Sequence, residues 1–589
     1  MPAHPVLPNP WYYLNNFQFM LDWVSARYQG LLAPEEQSFI AGFAALPKPS
    51  RGLLVRMVMR KGDLFRASKL AYAEVGDTQA AAAPLLAHGW LVQDPALTAD
   101  ELFRLLTRTE LVELLGGAYD ALSIVGAAKA SQCKVIREHW PDPGTLAQWQ
   151  ARGCAPAGDE RAVAACPTSN AAARIGAGVP PHITSGAFPD TIYRVTLLAL
   201  CDRLRLMFFG NLRQDWSEFV LADLGLYRYE QVAFPDAARA FATRQDIDDY
   251  LLLQGCRDAL DTAADDDAWA DACAQIPALP YANEWLESRR ARLLFAAGQQ
   301  GERRRRWRGA LACYKASTDP AARARRIRVL EQLGEHADAL ALAAQALQQP
   351  ASEAEAQAVG RMLPRLRRSC GHVSEKAFPR AVPPRLDLAL DLAGTRVEEA
   401  VRAHLHCGNA PAFYVENTLL NSLFGLLCWD AIFASVPGAF FHPYQHGPAD
   451  LLRTGFRERR AAQFEACLAL LDNGRHIQAV RGTYQAKRGL QSPFVYWDAL
   501  DDTLLDLALQ CIPASHLRAV FDRLLENIRD NRSGLPDLIQ FWPGTRRYRL
   551  IEVKGPGDRI QDNQARWLAY CQAQGIDICV CHVQAQATA

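Results

Sequence analysis

The chain has 589 residues, of which half are hydrophobic and 22% are charged. This composition excludes a disordered or fibrous protein, and at roughly 100–200 residues per domain the length predicts about three to five domains. Lys and Arg together number 64, as do Asp and Glu, so the formal net charge is zero. A protein that coats nucleic acid through its overall charge is therefore excluded, and an anionic partner must bind a local patch.

The cysteines and the apolar segments indicate the cellular compartment of the protein. Fifteen cysteines occur, but no two have the C-x-x-C spacing of zinc and redox motifs. The first residues, MPAHPVLPNPWYY, lack the charged and apolar regions of a signal peptide. No apolar run reaches the roughly 18 residues of a membrane helix. These features predict reduced thiols in a cytoplasmic protein without a membrane-spanning segment.

Residues 1–95 form the first predicted domain, and a basic helical segment dominates it. In RGLLVRMVMRKGDLFRASKLAY, apolar residues recur at helical spacing, with Arg56, Arg60 and Lys61 between them. A second apolar segment, TQAAAAPLLAHGWLVQ, ends in a short β-like run. Helices followed by a small strand pair predict a winged-helix domain that contacts DNA through the three basic residues. A plain helical subdomain with a solvated basic face is the alternative.

Residues 96–260 form the second predicted domain. The segment TADELFRLLTRTELVELLGG predicts two short helices that meet at Thr107 to Thr109. This pattern resembles the SAP module, a small helix-turn-helix element that contacts the DNA backbone. Residues 140–185 are rich in Pro, Gly, Ala and Cys, which predicts a long insertion or linker.

Residues 261–394 form the third predicted domain, a run of Ala-rich helices. Paired amphipathic helices around short turns resemble a tetratricopeptide-like repeat. From Arg289 to Arg328, thirteen Arg or Lys residues stand against two acids, a local net charge of +11. Because nucleic-acid phosphate is a common anion that balances such a cluster, we expect DNA contacts here, with Arg289, Arg303 and Arg306 as candidates. A role in folding or in binding another partner is the alternative.

Residues 395–589 form the fourth predicted domain, whose chemistry lies in the segment GLPDLIQFWPGTRRYRLIEVKGPGDR. The pattern predicts a β-hairpin that brings Asp537, Glu552 and Lys554 to one end. Glu552 and Lys554 are two residues apart, so they share one face of their strand, whereas Val553 points to the other. The apolar run before Lys554 is an unusual place for a glutamate without a function.

The residue types of this hairpin favour a divalent metal site. Two neighbouring carboxylates repel each other unless a cation lies between them, and Mg²⁺ or Mn²⁺ takes carboxylate, carbonyl and water ligands. Such a metal activates water and polarises a phosphoryl oxygen, while a nearby lysine offsets developing charge. The pattern predicts a PD-(D/E)xK nuclease. A surface ion pair at a strand end is the alternative for a short E-x-K.

Two further residues are candidates for the same site. Gln564 lies in the first turns of the helix after the hairpin, where it either faces the site or lies on a solvated surface. Glu416 opens the apolar segment YVENTLLNSLFGLLCWDAIF, which predicts a long buried helix. An acid is expected upstream of the hairpin, so Glu416 is the preferred third carboxylate, with Asp430 as its competitor. The helix dipole alone would also favour an acid at Glu416.

These motifs resemble those of a known nuclease family. GLPDL, IEVKGPGDR, a following helix that begins near Gln564 and the final CHV are similar to the virus-type replication-repair nuclease domain. ENTLLNSLFGLLCWDAIF, RMVMRKGDLFRASKLAYAEV and LLTRTELVELLG resemble segments of the Fanconi-associated nuclease family. The resemblance covers most of the chain and implies a multidomain, mainly α fold. N-terminal helical or winged-helix and SAP-like elements and tetratricopeptide-like repeats would precede a C-terminal α/β PD-(D/E)xK core with the order αβββαβ.

The resemblance also implies a function and the residues that perform it. The family comprises structure-selective, phosphodiesterase I-type DNA nucleases that cleave 5′ flaps, digest 5′ to 3′ and act in interstrand-crosslink repair with Mg²⁺ or Mn²⁺. By this resemblance Glu416, Asp537, Glu552 and the Val553 carbonyl are metal ligands, and Lys554 positions the attacking water. The partner would be branched or 5′-flap DNA. The Ala/Arg-rich composition suggests a bacterial, nucleoid-associated protein of the cytoplasm.

Two other functions agree with the same residues. A junction resolvase or restriction-like endonuclease can have the same core, and a degenerate core would make the protein a non-catalytic DNA-binding scaffold. The expected chemical positions all hold usable side chains, which argues against the scaffold. A comparison of 5′-flap cleavage with four-way-junction cleavage separates the two nucleases.

Overall fold

The computed structural model describes residues 9–154, 190–235, 239–372 and 383–586. The chain folds into two compact units, Met1–Leu224 and Gly225–Ala589. Their described residues are mainly helical, with a three-stranded sheet in the first unit and a five-stranded sheet in the second. The predicted mainly α, multidomain architecture is therefore confirmed. The first unit ends at Leu224, whereas the second predicted domain runs to residue 260.

The first unit surrounds its small sheet with helices. In chain order its described elements are α1 (Tyr12–Tyr28), α2 (Pro34–Ala45), α3 (Lys48–Val58), β1 (Leu64–Arg66), α4 (Thr78–Ala87), β2 (Leu91–Gln93), α5 (Ala99–Leu105), α6 (Arg108–Ala121), α7 (Lys129–His139), α8 (Leu146–Cys154), β3 (Ile192–Val195), α9 (Leu198–Phe209) and α10 (Ser217–Asp223).

The sheet of the first unit differs from the predicted winged-helix outline. Its strand order is β1-β3-β2, with both pairings antiparallel. β1 and β2 therefore do not form a pair of their own, because β3 lies between them. Leu64 pairs with Arg194, and Leu91 pairs with Val195. The strand that completes this sheet comes from beyond the SAP-like element, so a local sequence pattern could not reveal it.

The two helices of the SAP-like element begin with matching caps. The Glu101 amide donates to the Thr98 hydroxyl at 3.2 Å, and the Thr98 amide donates to the Glu101 carboxylate at 2.8 Å. Thr107 and Glu110 repeat this arrangement at the start of α6. Each capping box satisfies amide groups that a first helical turn leaves open. The predicted helix pair around Thr107 is confirmed.

Part of the predicted insertion at 140–185 belongs to the SAP-like core. α8 packs against α6, and Trp149 is fully buried there. Its indole nitrogen donates to the Leu97 carbonyl at 3.0 Å. The linker interpretation is therefore wrong for residues 146–154, because one tryptophan anchors a segment whose composition otherwise suggests a loop. Residues 155–189 lie outside the described residues.

The second unit holds the helical repeat and the larger sheet. Its described elements are α11 (Arg244–Thr262), α12 (Asp266–Ala274), α13 (Glu284–Arg303), α14 (Trp307–Ala316), α15 (Ala322–Gln332), α16 (His336–Gln348), α17 (Glu353–Ser369), β4 (Arg385–Leu390), α18 (Val397–Leu405), β5 (Ala412–Tyr414), α19 (Leu419–Leu427), α20 (Trp429–Ile432), α21 (Ala461–Asp472), α22 (His476–Lys487), α23 (Asp502–Cys511), α24 (Ala514–Glu526), α25 (Ile528–Asn531), β6 (Leu538–Trp542), β7 (Arg547–Lys554), α26 (Asp562–Ala573) and β8 (Ile578–Ala585). None of the helices in the described ranges is long and apolar enough to cross a membrane.

Helices α13 to α17 form the predicted repeat. Each of them packs on the next one along the chain, and small residues allow the close approach. A Cβ atom at Gly298 would lie 2.6 Å from the ring of Tyr314, so only glycine fits where α13 crosses α14. Ala310 and Tyr314 are fully buried in the core of the repeat. The predicted paired amphipathic helices are confirmed.

The larger sheet has the strand order β4-β8-β7-β6-β5. β5, β6 and β7 are antiparallel neighbours, whereas β8 is parallel to β7 and β4 is parallel to β8. The order α18, β5, β6, β7, α26 and β8 matches the predicted αβββαβ core. Helices α19 to α25 are inserted between β5 and β6, so the chain leaves the sheet and returns before it forms the central hairpin.

The apolar segment after Glu416 is shorter than the predicted long helix. α19 is buried along its whole length, and the separate helix α20 follows after Cys428. Glu416 lies before the N-cap residue Thr418 and so does not open the helix. Asp430 is exposed on α20. The helix dipole therefore does not explain Glu416, since its effect falls off within the first turn.

We expect Trp149→Ala to destabilise the first unit by about 3–5 kcal/mol, the usual cost of truncating a buried aromatic residue. Urea unfolding followed by circular dichroism measures the change. The control is Arg137→Gln, which removes only an exposed ion pair with Asp100 and should cost under about 1 kcal/mol. Equal stability of the two variants would contradict the packing of α8.

Candidate active site

The pairing of β6 with β7 brings two carboxylates together. Leu538 pairs with Ile551, so the next position of the register places Asp537 opposite Glu552. Directly opposed residues of antiparallel strands point to the same face. On the other side of Asp537, its carbonyl accepts a hydrogen bond from the Val415 amide at 2.8 Å. The predicted proximity of Asp537 and Glu552 follows from this register.

Asp537 is buried, with 7% of its surface exposed. Its Oδ2 accepts a hydrogen bond from the Val553 amide at 2.8 Å, which fixes the carboxylate against β7. Burial raises the pKa of Asp537 to about 6, and the negative charge of Glu416 also raises it. Asp537 therefore holds its proton more readily than an exposed aspartate while it has no cationic partner besides Lys554.

Glu552 and Lys554 form a buried pair on one face of β7. Glu552 is 1% exposed, and its Oε1 lies 2.7 Å from the Lys554 Nζ. The two groups are close enough for an ion pair but are not aligned for a hydrogen bond. Burial raises the pKa of Glu552 to about 7, the charge of Asp537 raises it further, and Lys554 acts in the opposite direction. Lys554 therefore compensates the negative charge of Glu552 and Asp537 only in part.

Gln564 reaches the site from the first turn of α26. The Lys554 Nζ donates to its Oε1 at 3.1 Å, and the Gln561 amide donates to the same oxygen at 2.8 Å. The second bond belongs to the capping box of α26. Of the two interpretations open for Gln564, the structure favours the one that faces the site. Lys554 is held between Glu552 and Gln564.

Glu416 lies at the edge of the site, in the turn between β5 and α19. The Tyr414 hydroxyl donates to Glu416 Oε2, and the Asn417 side-chain amide donates to its Oε1 at 3.4 Å. Asn417 has a positive φ of 52°, a left-handed conformation that asparagine tolerates well. Tyr414 is a neighbour that sequence reasoning missed. Its only signal was its position two residues before Glu416.

The charges of the site agree with a divalent cation. Glu416, Asp537 and Glu552 influence one another electrostatically, and Lys554 is the cation that faces them. In the described part of the chain, no three acidic, histidine or cysteine side chains converge tightly enough to hold an ion as they stand. Three carboxylates and one lysine nevertheless leave a net charge of −2, which a divalent cation would balance. Oxygen donors are the ligands that hard divalent cations prefer.

Repeat helix α17 contacts the N-terminal end of α26. Both guanidinium NH₂ groups of Arg361 bond to the Asp562 carboxylate, at 2.6 and 2.5 Å. Arg566 donates to the Gln357 side chain at 2.7 Å, and Gln357 donates to the Asp562 carbonyl at 3.3 Å. The helix that carries Gln564 is therefore held by the repeat as well as by its own capping box.

The predicted DNA contacts in the first unit fall into two groups. Arg56 forms an ion pair with Glu74 at 2.6 Å, and its guanidinium lies 3.9 Å from the ring centre of Tyr13. Its charge is thus committed inside the unit, which favours a structural role over the predicted DNA contact. Arg60 and Lys61 are exposed and remain candidates.

The basic segment of the repeat is less positive in space than in sequence, because acids from other segments approach it. Arg306 bonds to Asp266 at 2.7 Å. Arg289 lies 3.8 Å from the ring centre of Tyr250, while Arg303 is exposed. Further ion pairs join Arg304 to Asp266, Arg308 to Glu335, Arg323 to Glu355, and Arg325 and Arg328 to Glu302. The net charge of +11 therefore overstates the positive field of this region.

Three family models match the chain in the order that the sequence predicted. They are "FAN1, HTH domain" at residues 11–92, "Fanconi anemia-associated nuclease SAP domain" at residues 96–149, and "VRR-NUC domain" at residues 471–585. The third match contains the β6–β7 hairpin and α26. Glu416 lies before the region that it covers.

Similarity to whole proteins decides the family. The chain is 48% identical over 582 residues to the Fanconi-associated nuclease 1 homolog of Pseudomonas aeruginosa, with 98% of this chain and 97% of that protein covered. The chain belongs to the Fanconi-associated nuclease 1 family. The family homolog of Arabidopsis thaliana is 23% identical over 637 residues, with 97% of this chain and 67% of that protein covered.

Solved structures of the family share the fold. The crystal structure of paFAN1 bound to 2nt 5′ flap DNA with a gap matches with a TM-score of 0.90 and 48% identity, and covers 99% of this chain and 100% of that chain. The paFAN1 complex with 1nt 5′ flap DNA matches with a TM-score of 0.88, covering 98% of this chain and 100% of that chain. As a member of the Fanconi-associated nuclease 1 family, the chain is a DNA-repair nuclease, a hydrolase that acts on DNA and uses a divalent metal ion.

We expect the contribution of Asp537 and Glu552 to the stability of the metal-free protein to fall as pH rises from about 4 to 7. The pKa values of Asp537 and Glu552 are raised in the folded state, to about 6 and about 7. The folded state therefore binds more protons than the unfolded state in this window, and stability falls with increasing pH. Asp537→Asn removes one of the repelling charges and should raise stability in EDTA at pH 8 by about 1–2 kcal/mol.

Thermal unfolding in EDTA at pH 5 and pH 8 measures this effect. The control is Asp430→Asn, which neutralises an exposed acid of the same unit and should change stability by less than about 0.5 kcal/mol. A destabilised Asp537→Asn variant at pH 8, or a stability difference between Asp537→Asn and wild type that is the same at pH 5 and pH 8, would contradict the repulsion of the buried carboxylates.

Proposed function

We propose that the chain is a phosphodiesterase I-type nuclease that cuts 5′-flap DNA, digests 5′ to 3′ and acts in interstrand-crosslink repair, with Mg²⁺ or Mn²⁺ as its metal. The observation that carries this proposal is the buried arrangement of Asp537, Glu552 and Lys554 on one sheet face. Acids gathered around one lysine on paired strands have the residue types that metal-dependent phosphodiester hydrolysis requires. Association with the bacterial nucleoid follows from such a substrate.

In this proposal the metal is held by Glu416, Asp537, Glu552 and the backbone carbonyl of Val553. When bound, it supplies a Lewis acid for the phosphate and lowers the pKa of bound water. Asp537 is already oriented by its hydrogen bond from the Val553 amide. Glu416 would exchange its bond with the Tyr414 hydroxyl for this role, since that bond engages one of its carboxylate oxygens.

Lys554 has a second task in the proposed reaction. Its ammonium group lies between Glu552 and Gln564, at 2.7 and 3.1 Å. A lysine held in this way orients a water molecule toward the phosphorus and offsets the charge that develops on the phosphoryl oxygens. Gln564 keeps the amine from folding back onto Glu552 alone, so we assign it a positioning role.

The proposed substrate is inferred from the DNA that is bound in crystal structures of a related protein. Two crystal structures of paFAN1, at 48% identity, contain 5′-flap DNA with flaps of 1nt and 2nt. The shared fold and the 48% identity favour the same class of substrate here. Exposed Arg60, Lys61 and Arg303 are then candidates for contacts with the DNA backbone.

We expect Asp537→Ala to lower the rate of flap cleavage by at least about 10²- to 10³-fold, the loss typical for one electrostatic group of an active site. The assay uses 5′-end-labelled flap DNA with Mg²⁺ or Mn²⁺, and binding of the same DNA is measured in EDTA. The binding affinity should stay within about threefold of the wild type, because the lost carboxylate repels phosphate. Asp430→Ala, an exposed acid of the same unit, is the matched control and should cut normally.

The other outcomes of this assay identify the alternatives. Faster cutting of a four-way junction than of the 5′ flap would indicate a junction resolvase. Equal residual cleavage by wild type and Asp537→Ala would indicate a DNA-binding scaffold. Activity in EDTA would contradict a metal-dependent mechanism.

A further inference from the structure

An arginine that the active site does not use lies where the helical repeat meets the following segment. Arg453 stands between α20 and α21, and its side chain is half-buried. Its guanidinium carbon lies 6.0 Å from the ring centre of Trp285 on α13. Arg289 lies at the same distance from that ring and stacks on Tyr250 at 3.8 Å. Two arginines thus flank one indole ring.

In the described part of the chain, no carboxylate forms an ion pair with Arg453. The acid nearest to it in sequence is Asp450, whose oxygens are taken by Arg459 at 2.7 Å and by Arg460 at 2.8 and 2.9 Å. The guanidinium of Arg453 makes no hydrogen bond or ion pair with any described residue. A guanidinium has five donors, and those of Arg453 have no acceptor among the described residues.

Other charged groups near Arg453 add to the imbalance. Arg292 and Arg459 repel it, whereas Asp450 and the exposed Glu284 attract it. The balance lowers the pKa of Arg453 to about 10, with burial as the largest cause. An anion placed beside the Arg453 guanidinium would replace part of the hydration that burial removes from it.

We propose that Arg453 binds a backbone phosphate of the DNA substrate. The inference rests on the proposed function only in taking DNA as the partner. Arginine suits this task because its planar fork donates two parallel hydrogen bonds to phosphate oxygens. Trp285 supports the fork from one face, as aromatic rings do for guanidinium groups. None of the charged groups that act on Arg453 belongs to the acidic cluster on β6 and β7, so we assign Arg453 a role in binding and not in the chemical step.

The test is the salt dependence of DNA binding. The full-length protein is titrated with fluorescent 5′-flap DNA in EDTA, between 50 and 200 mM NaCl. Each phosphate neutralised on duplex DNA contributes a slope of about −0.9 to the plot of log affinity against log salt. Arg453→Gln should make this slope shallower by about one and weaken binding roughly tenfold at low salt. Arg453→Lys keeps the charge and should restore the slope while leaving affinity a few-fold weaker than wild type.

The matched control is Arg457→Gln. Arg457 is half-buried on the same segment but pairs with Asp522, which also keeps Arg518 as a partner. The Arg457→Gln variant should therefore show the same slope of log affinity against log salt as the wild type. Thermal unfolding of each variant identifies any loss of structure, and the Arg453→Lys variant tests the site even if Arg453→Gln is unstable.

Wild-type affinity and slope in Arg453→Gln would overturn the proposal, and so would equal losses in Arg453→Gln and Arg457→Gln. An acidic protein partner for Arg453 would produce the first of these results. If the wild-type protein binds flap DNA but does not cut it, the proposed function fails while the slope change still tests Arg453. If all proteins cut normally and the slope does not change, only the phosphate site fails.

Discussion

Two carboxylates buried opposite each other on paired strands govern the structure of the catalytic unit. Asp537 and Glu552 are placed there by the register of β6 and β7, and one lysine, Lys554, offsets their repulsion in part. A fold that served stability alone would bury apolar side chains at these positions. The same pair of carboxylates is surrounded by Glu416, Gln564 and the Val553 amide. This placement agrees with a site that holds a cation.

The surrounding fold holds this pair from several directions. Helices inserted between β5 and β6 separate Glu416 from the hairpin by roughly a hundred residues in sequence, yet β5, which ends just before Glu416, pairs with β6. Repeat helix α17 fixes the first turn of α26 through Arg361 and Gln357. The helical repeat therefore supports the active site through contacts within one unit.

Local patterns predicted the local structure well. The β6–β7 hairpin and the helix pair around Thr107 depend on alternation, capping and turns that lie close together in sequence. The αβββαβ order was implied by the resemblance to a nuclease family. Long-range pairing was not predictable in this way. The strand β3 joins its sheet across the SAP-like element, Trp149 packs a helix into an apparent linker, and distant acids neutralise many arginines of the repeat. Glu416 was correctly placed near the hairpin, but its turn conformation and Tyr414 depend on contacts that sequence spacing does not encode.

The most direct measurement is anomalous diffraction from crystals of the protein soaked in Mn²⁺. The account predicts a peak within about 2.4 Å of an oxygen from Asp537 and of an oxygen from Glu552, with the Glu416 carboxylate turned toward it from Tyr414. A peak at another place on the protein, or an ion that contacts neither Asp537 nor Glu552, would contradict the central claim that the buried carboxylates exist to hold a divalent metal.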